Sequence, residues 1–275
     1  MAVRKIHFLV FLIGQSLGFQ PLASQIVPEA ELFPQYKLVP TFPADPTSHK
    51  MKAENIMGKK DIRAALGGYL PVLGVQLLGR NLELSTGASV FFDVHPNGSA
   101  QIVSSEFYID FMVVDFHFLP EWSARALAGH TSHHLSDNTY EKLGLQESVN
   151  YSRDYVGAFL IHSVKDYSLV YAGINYGYIF HFSGDDHKPW RFQLGGERTL
   201  FHVVPKLSAY IAVDFKLYQE YGYEFANAYQ LGTKIPSGSL RLFRLAYQFR
   251  HGVDERGQFF PKHRTLHTIG IIVEL

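Results

Sequence analysis

Along the second half of the chain, apolar and polar residues alternate one by one. Leu207, Ala209, Ile211, Val213, Phe215 and Leu217 share one parity; Lys206, Ser208, Tyr210, Ala212, Asp214 and Lys216 share the other. Successive side chains of a strand point to opposite faces, so this run predicts a strand with one apolar and one polar face. The pattern recurs where Leu82, Leu84, Ala88, Val90, Phe92 and Val94 oppose Glu83, Ser85, Ser89 and Asp93. Phe243, Leu245, Tyr247 and Phe249 against Arg244, Gln248 and Arg250 repeat it, and Ile269, Ile271, Val273 and Leu275 close the chain in the same way.

Candidate strands fall near 68–79, 81–94, 99–117, 119–134, 147–162, 166–181, 189–200, 205–219, 223–235, 238–251 and 263–275, with a further short one near 60–67. Alternation alone does not say whether the apolar faces share a core or face lipid; the connections decide. The links at 252–262, 182–188 and 135–146 are long and polar, whereas those at 236–237 and 163–165 are short. Short turns on one side and long loops on the other are the habit of outer-membrane barrels, which in bacteria carry an even number of strands. The expectation is an all-β, antiparallel, up-and-down transmembrane β-barrel of 12 strands, with 10 as the fallback.

The N-terminus agrees with export. Arg4 and Lys5 precede an apolar stretch from Ile6 to Ile13, and Leu22-Ala23-Ser24 supplies small residues, so 1–24 reads as a signal peptide cleaved after Ser24. The apolar run is too short for a spanning helix. Residues 25–60, with Pro28, Pro34, Pro40, Pro43 and Pro46, read as a Pro-rich periplasmic lead-in against the lower rim or a flexible linker. The barrel is assigned to 61–275.

Composition adds three points. Charged residues are 18% and aromatic residues 15%, against about 25% charged in an average protein. There is no Cys, so no disulfide framework is available. Lys and Arg (25) balance Asp and Glu (25), which leaves no electrostatic footprint for nucleic acid. The partners expected are outer-membrane lipids and the barrel-assembly machinery, although the chain ends in Leu275 where many such barrels end in Phe. No cofactor is called for. Trp122, Trp190, Tyr167, Tyr171, Tyr176 and Tyr178 fall near strand ends, where interfacial aromatics belong.

Parity points a mixed set of charges inward: Glu83, Asp93, Glu106, Asp110, Arg125, Arg191, Glu197, Asp214, Lys216, Lys234, Arg244 and Arg250. Such groups are tolerable only if paired or hydrated, so a filled, salt-bridged lumen is expected rather than a wide pore.

The most chemically loaded segment runs from Gly129 to Asn138 and contains His130, Ser132, His133, His134 and Asp137. It enters the longest loop, and the next strand begins Asn150-Tyr151-Ser152-Arg153-Asp154. A His and a Ser two apart on a strand share a face, so the imidazole can take the hydroxyl proton. Arg125 cannot face lipid, which turns the odd residues of its strand inward and His130 and Ser132 outward. On the following strand, outward Tyr155, Phe159 and Ile161 would put Asn150, Ser152 and Asp154 inside. His130, His134 and Asp137 are residue types that suit a divalent metal. The plainer reading is a polar anchor for an outer loop.

These pieces carry two resemblances. Leu32-Phe33-Pro34, Pro43-Ala44-Asp45-Pro46, His130-x-Ser132-x-His134-Leu135-x-Asp137, Asn150 to Asp154 and Gly257-Gln258-Phe259, in this order, resemble domain-of-unknown-function family 1207. Ser136 and Asn138 stand where that family pattern leads one to expect Gly and an acid. Membership implies an outer-membrane barrel without an established activity. More loosely, the His-x-Ser pair is similar to that of outer-membrane phospholipase and lipid A deacylase barrels, which carry it near the outer rim facing lipid. The phospholipase adds an Asn from the neighbouring strand, a place that Asn150 would take here. Three functions compete: a structural or binding barrel with a filled lumen, a narrow channel or transporter, and a lipid acyl hydrolase using His130, Ser132 and Asn150.

Overall fold

The computed structural model describes residues 30–97, 99–137, 139–140, 151–164, 168–182, 188–237, 241–257 and 262–275. The expected signal peptide lies outside them, as do Tyr167 and Asn150. Thirteen strands join one antiparallel sheet: β1 Ala30–Leu32, β2 Met51–Ile56, β3 Ile62–Leu77, β4 Arg80–Asn97, β5 Ser99–Leu119, β6 Trp122–Leu135, β7 Tyr151–Val164, β8 Ser168–Phe182, β9 Trp190–Val204, β10 Leu207–Tyr218, β11 Glu224–Ser237, β12 Arg241–Val253 and β13 His263–Glu274. Each strand from β3 onward pairs with the next, and β2 pairs with both β13 and β3. The sheet therefore closes as a 12-strand barrel.

Ten of the expected strands stand within about four residues of their places. The strand expected at 60–67 is instead the beginning of β3, continuous with 68–77. The twelfth strand is β2, which comes from the end of the segment read as a lead-in. Closure relies on an unusual seam. β2 covers β3 only at Ile62–Ala65, and β1 covers the same edge at Leu73–Val75. Between these two short strands the chain leaves the wall at Phe33, held in the left-handed region at φ 52, and turns inside.

From Val39 to Lys50 nearly every residue is buried. The Pro-rich segment thus fills the barrel. Proline lacks an N–H, so Pro34, Pro43 and Pro46 bury backbone without creating donors to satisfy. The carbonyls still need partners. Lys50 Nζ donates to Pro43 O at 2.7 Å and Asp45 O at 2.8 Å, and Gln248 donates to Ala44 O at 2.8 Å. Side chains fasten the segment to walls far apart in sequence. Asp45 accepts from Lys216 at 2.5 Å and Gln193 at 2.9 Å, and His49 contacts Ser89 at 2.9 Å and Asp110 at 3.1 Å. Phe42 stacks on Tyr171 with ring centroids 3.7 Å apart and packs beside Phe159, while Ala44 lies under Tyr210, Ala212, Ala246 and Ile272.

This filler explains two departures from the sequence reading. Tyr171 is buried and hydrogen-bonded to Asp214 instead of lying at an interface. On β7, Tyr155, Phe159 and Ile161 turn inward, since Phe159 and Ile161 pack with Val39 and Phe42. Trp122, Trp190, Tyr176 and Tyr178 do face outward.

The twelve charges assigned inward lie inside and have partners there. Arg125 grips Asp115 with two bonds of 2.7 and 2.8 Å, Arg63 joins Asp93 and Glu106, Glu197 joins Lys234 and Arg244, and Arg250 joins Glu54. The outer surface carries exposed Leu66, Phe107, Leu160, Leu194, Leu231 and Ile271. Between consecutive strands from β2 onward, the three longest links, those after β6, β8 and β12, leave from one end, whereas turns such as Leu78-Gly79 close the other. Leu78 and Gly79 both have positive φ, as a two-residue hairpin of this twist requires. At the long-loop end Arg256 bonds Asp254 at 2.6 Å and Asp93 at 3.0 Å, drawing that loop into the mouth. Burial pushes the Asp254 carboxyl up, but the Arg256 hydrogen bonds outweigh it and hold the group below the usual carboxylate range.

Phe42→Ala should lower stability by roughly 3–5 kcal/mol, the range for emptying a buried aromatic site. Phe33→Ala, at a residue 56% exposed, should cost much less. Denaturant midpoints of the detergent-solubilised protein measure both; equal midpoints would contradict the packing of Phe42 inside the barrel.

Candidate active site

Strand β6 alternates cleanly. Ser123, Arg125, Gly129, Thr131, His133 and Leu135 point inward and are buried, so the even residues, including His130 and Ser132, lie on the outer wall. Arg125 fixes this parity through its ion pair with Asp115. His133, on the inner face, contacts Thr131 Oγ1 at 2.9 Å and accepts from the Gly257 amide at 2.8 Å, fastening the last long loop.

Strand β7 faces oppositely to the expectation. Tyr151 and Arg153 are buried inside, which places Ser152 and Asp154 outside. In the β6–β7 ladder His130 stands opposite Asp154 and Ser132 opposite Ser152. His130 Nδ1 hydrogen-bonds to an Asp154 carboxylate oxygen. The two side chains are 32% and 26% exposed, half-covered by the wall. With Nδ1 committed to the carboxylate, the neutral ring carries its lone pair on Nε2. The hydroxyl of Ser132 makes no hydrogen bond among the described residues.

One face of two adjacent strands thus carries a serine, a histidine two residues away and a carboxylate bonded to ring nitrogen Nδ1 of that histidine. Those are the parts of a nucleophile, a general base and a group that orients the base. The group bonded to His130 among the described residues is Asp154; Asn150, the third member expected from the sequence, lies outside them. The signal was present: Arg153 and Asp154 are neighbours on a strand, so one of the two charges had to face out. A charge on the lipid side of a barrel is costly and calls for a partner, which His130 provides. The metal candidates are not brought together: among the described residues no group of three His, Cys, Asp or Glu side chains is placed to hold an ion. His134 is exposed on the outer wall and Asp137 lies beyond the end of β6.

Closed, antiparallel and apolar outside, the fold is that of the outer-membrane barrel proteins. The chain belongs to a protein family of unknown function, DUF1207, whose family pattern matches residues 17–273. Among solved structures it is similar to the outer membrane phospholipase A from Escherichia coli, with a TM-score of 0.54 and 14% identity over 82% of this chain and 92% of that one. It is also similar to the Salmonella typhi outer membrane phospholipase dimer with bound calcium, with a TM-score of 0.53 and 15% identity over 84% and 94% of the two chains. At such identities the likeness is one of fold. None of the curated proteins matches the chain in sequence.

Because the chain contains no native Cys, single cysteines can report the facing of this wall. Fluorophores on Ser132→Cys and Ser152→Cys should be quenched by nitroxide-labelled lipids, and those on Thr131→Cys and Arg153→Cys should not. The reverse pattern would show that β6 and β7 are turned the other way.

Proposed function

We propose that this protein is an integral outer-membrane barrel that acts as a lipid acyl hydrolase on its outer wall. In this reading Ser132 is the nucleophile, His130 the general base and Asp154 the group that holds the imidazole. The observation that carries it is the His130–Asp154 hydrogen bond on the outer face, two residues along the strand from an uncommitted Ser132. A site that opens sideways, not into the lumen, suits a substrate dissolved in the bilayer. The likeness in fold to outer membrane phospholipases supports the same reading. The link from Ser132 to Nε2 would close when substrate seats, since catalytic hydrogen bonds are often loose in a free enzyme.

The chemistry then follows in two steps. Ser132 Oγ attacks the ester carbonyl carbon as its proton passes to His130 Nε2. Collapse of the tetrahedral intermediate breaks the ester bond, and the departing alcohol oxygen takes that proton. Water, deprotonated by the same imidazole, next cleaves the acyl-serine, which releases fatty acid and restores the hydroxyl. The long-loop end would face outward from the cell, with the long links presented there. The plugged interior, with its paired charges, favours a barrel that conducts nothing over a channel or transporter.

Detergent-solubilised protein should release fatty acid from phospholipid or lipopolysaccharide. Ser132→Ala and His130→Ala should each abolish most of the rate, and the double variant should be no worse than either, because such groups act as a unit. Asp154→Ala should lower kcat by about two to four orders of magnitude. Full activity in Ser132→Ala would sink the assignment.

A further inference from the structure

A serine hydrolase needs a donor for the negative charge that develops on the carbonyl oxygen, placed about 2.7–3.1 Å from where that oxygen comes to lie. In many folds backbone amides at a loop or helix end serve. On this wall they are committed elsewhere. At the level of Ser132, β6 is laddered to β5 on one side and β7 on the other, and β7 in turn to β8. Among the described residues at that level, this leaves the side chains as donors.

Across the strands the outward residues at that level run Phe107, Ser132, Ser152 and His181. Resting on the reading of Ser132 as nucleophile, we propose that Ser152 is the oxyanion donor, a catalytic residue of the same site. Directly opposite residues of an antiparallel pair hold their Cβ atoms about 4.5–5.5 Å apart. Two hydroxyls at that spacing can address one ester carbonyl, Ser132 at its carbon and Ser152 at its oxygen. Ser152 is half-buried, and its hydroxyl has no hydrogen-bond partner among the described residues. His130 and Asp154 are committed to each other. His134 stands one outward level away from Ser132, its ring edge-on to Phe107. When Ser132 attacks, the carbonyl π pair moves to oxygen and the Ser152 O–H donates to it. On collapse the pair returns to carbon, the ester C–O bond breaks, and Ser152 keeps its proton throughout.

The test compares wild type, Ser152→Ala and Ser152→Thr by fatty-acid release from phosphatidylethanolamine mixed micelles and from lipopolysaccharide, with folding monitored by heat-modifiable gel mobility. Ser152→Ala should lose about 10²–10³-fold in kcat, with KM unchanged. Ser152→Thr, which keeps the hydroxyl, should recover most of the rate. A wild-type kcat in Ser152→Ala would overturn the proposal while leaving the Ser132 assignment intact. So would equal impairment of folded Ala and Thr variants, which would mark a packing role. A wild type inactive on both lipids would remove the hydrolase reading and this inference with it.

Discussion

A β-barrel of this size encloses a space that must be filled, because charges brought inside without partners or water are unstable. Here the chain fills it with its own N-terminal segment. Prolines limit the buried donors, Lys50 and Gln248 answer carbonyls of the segment, and Asp45 meets Lys216 on the opposite wall. Phe42 and Ala44 add apolar anchors against β7, β8, β10, β12 and β13. The wall accommodates the insertion with a seam, where β1 and β2 share a single edge of β3 and leave a gap for the chain to pass.

That filling decides which way β7 faces. Phe159 and Ile161 have apolar partners inside, so they do not need lipid. The inward turn of Tyr155, Phe159 and Ile161 puts Ser152 and Asp154 on the outer wall, where Asp154 meets His130. An interior arrangement and an exterior site are therefore parts of one register. The cost of a carboxylate near lipid is reduced by an imidazole hydrogen-bonded to it, the arrangement a general base requires.

Much of this could be read from the residues. Alternation located ten strands to within a few residues, and the pairing of Arg125 with Asp115 justified the inward parity inferred for β6. What escaped had a common physical cause. Period-two patterns say that a face is apolar but not what it touches, so inward Phe159 and Tyr171 looked like lipid or interface residues. The filler itself has no periodicity, and its prolines read as an irregular lead-in. The shared outer face of His130 and Ser132 was legible from their spacing and from Arg125. Asp154 was not, although adjacent Arg153 and Asp154 required one charge to point outward.

In the proposed reading, a serine on the lipid-facing wall is activated by a histidine held by a carboxylate. The most direct measurement is reaction of the full chain, reconstituted in phospholipid vesicles, with an alkyl fluorophosphonate, followed by peptide mass mapping of the adduct. A single phosphonyl group on Ser132, absent when His130 is replaced by alanine, is the result expected. An adduct on another serine, or none while the barrel remains folded, would contradict it.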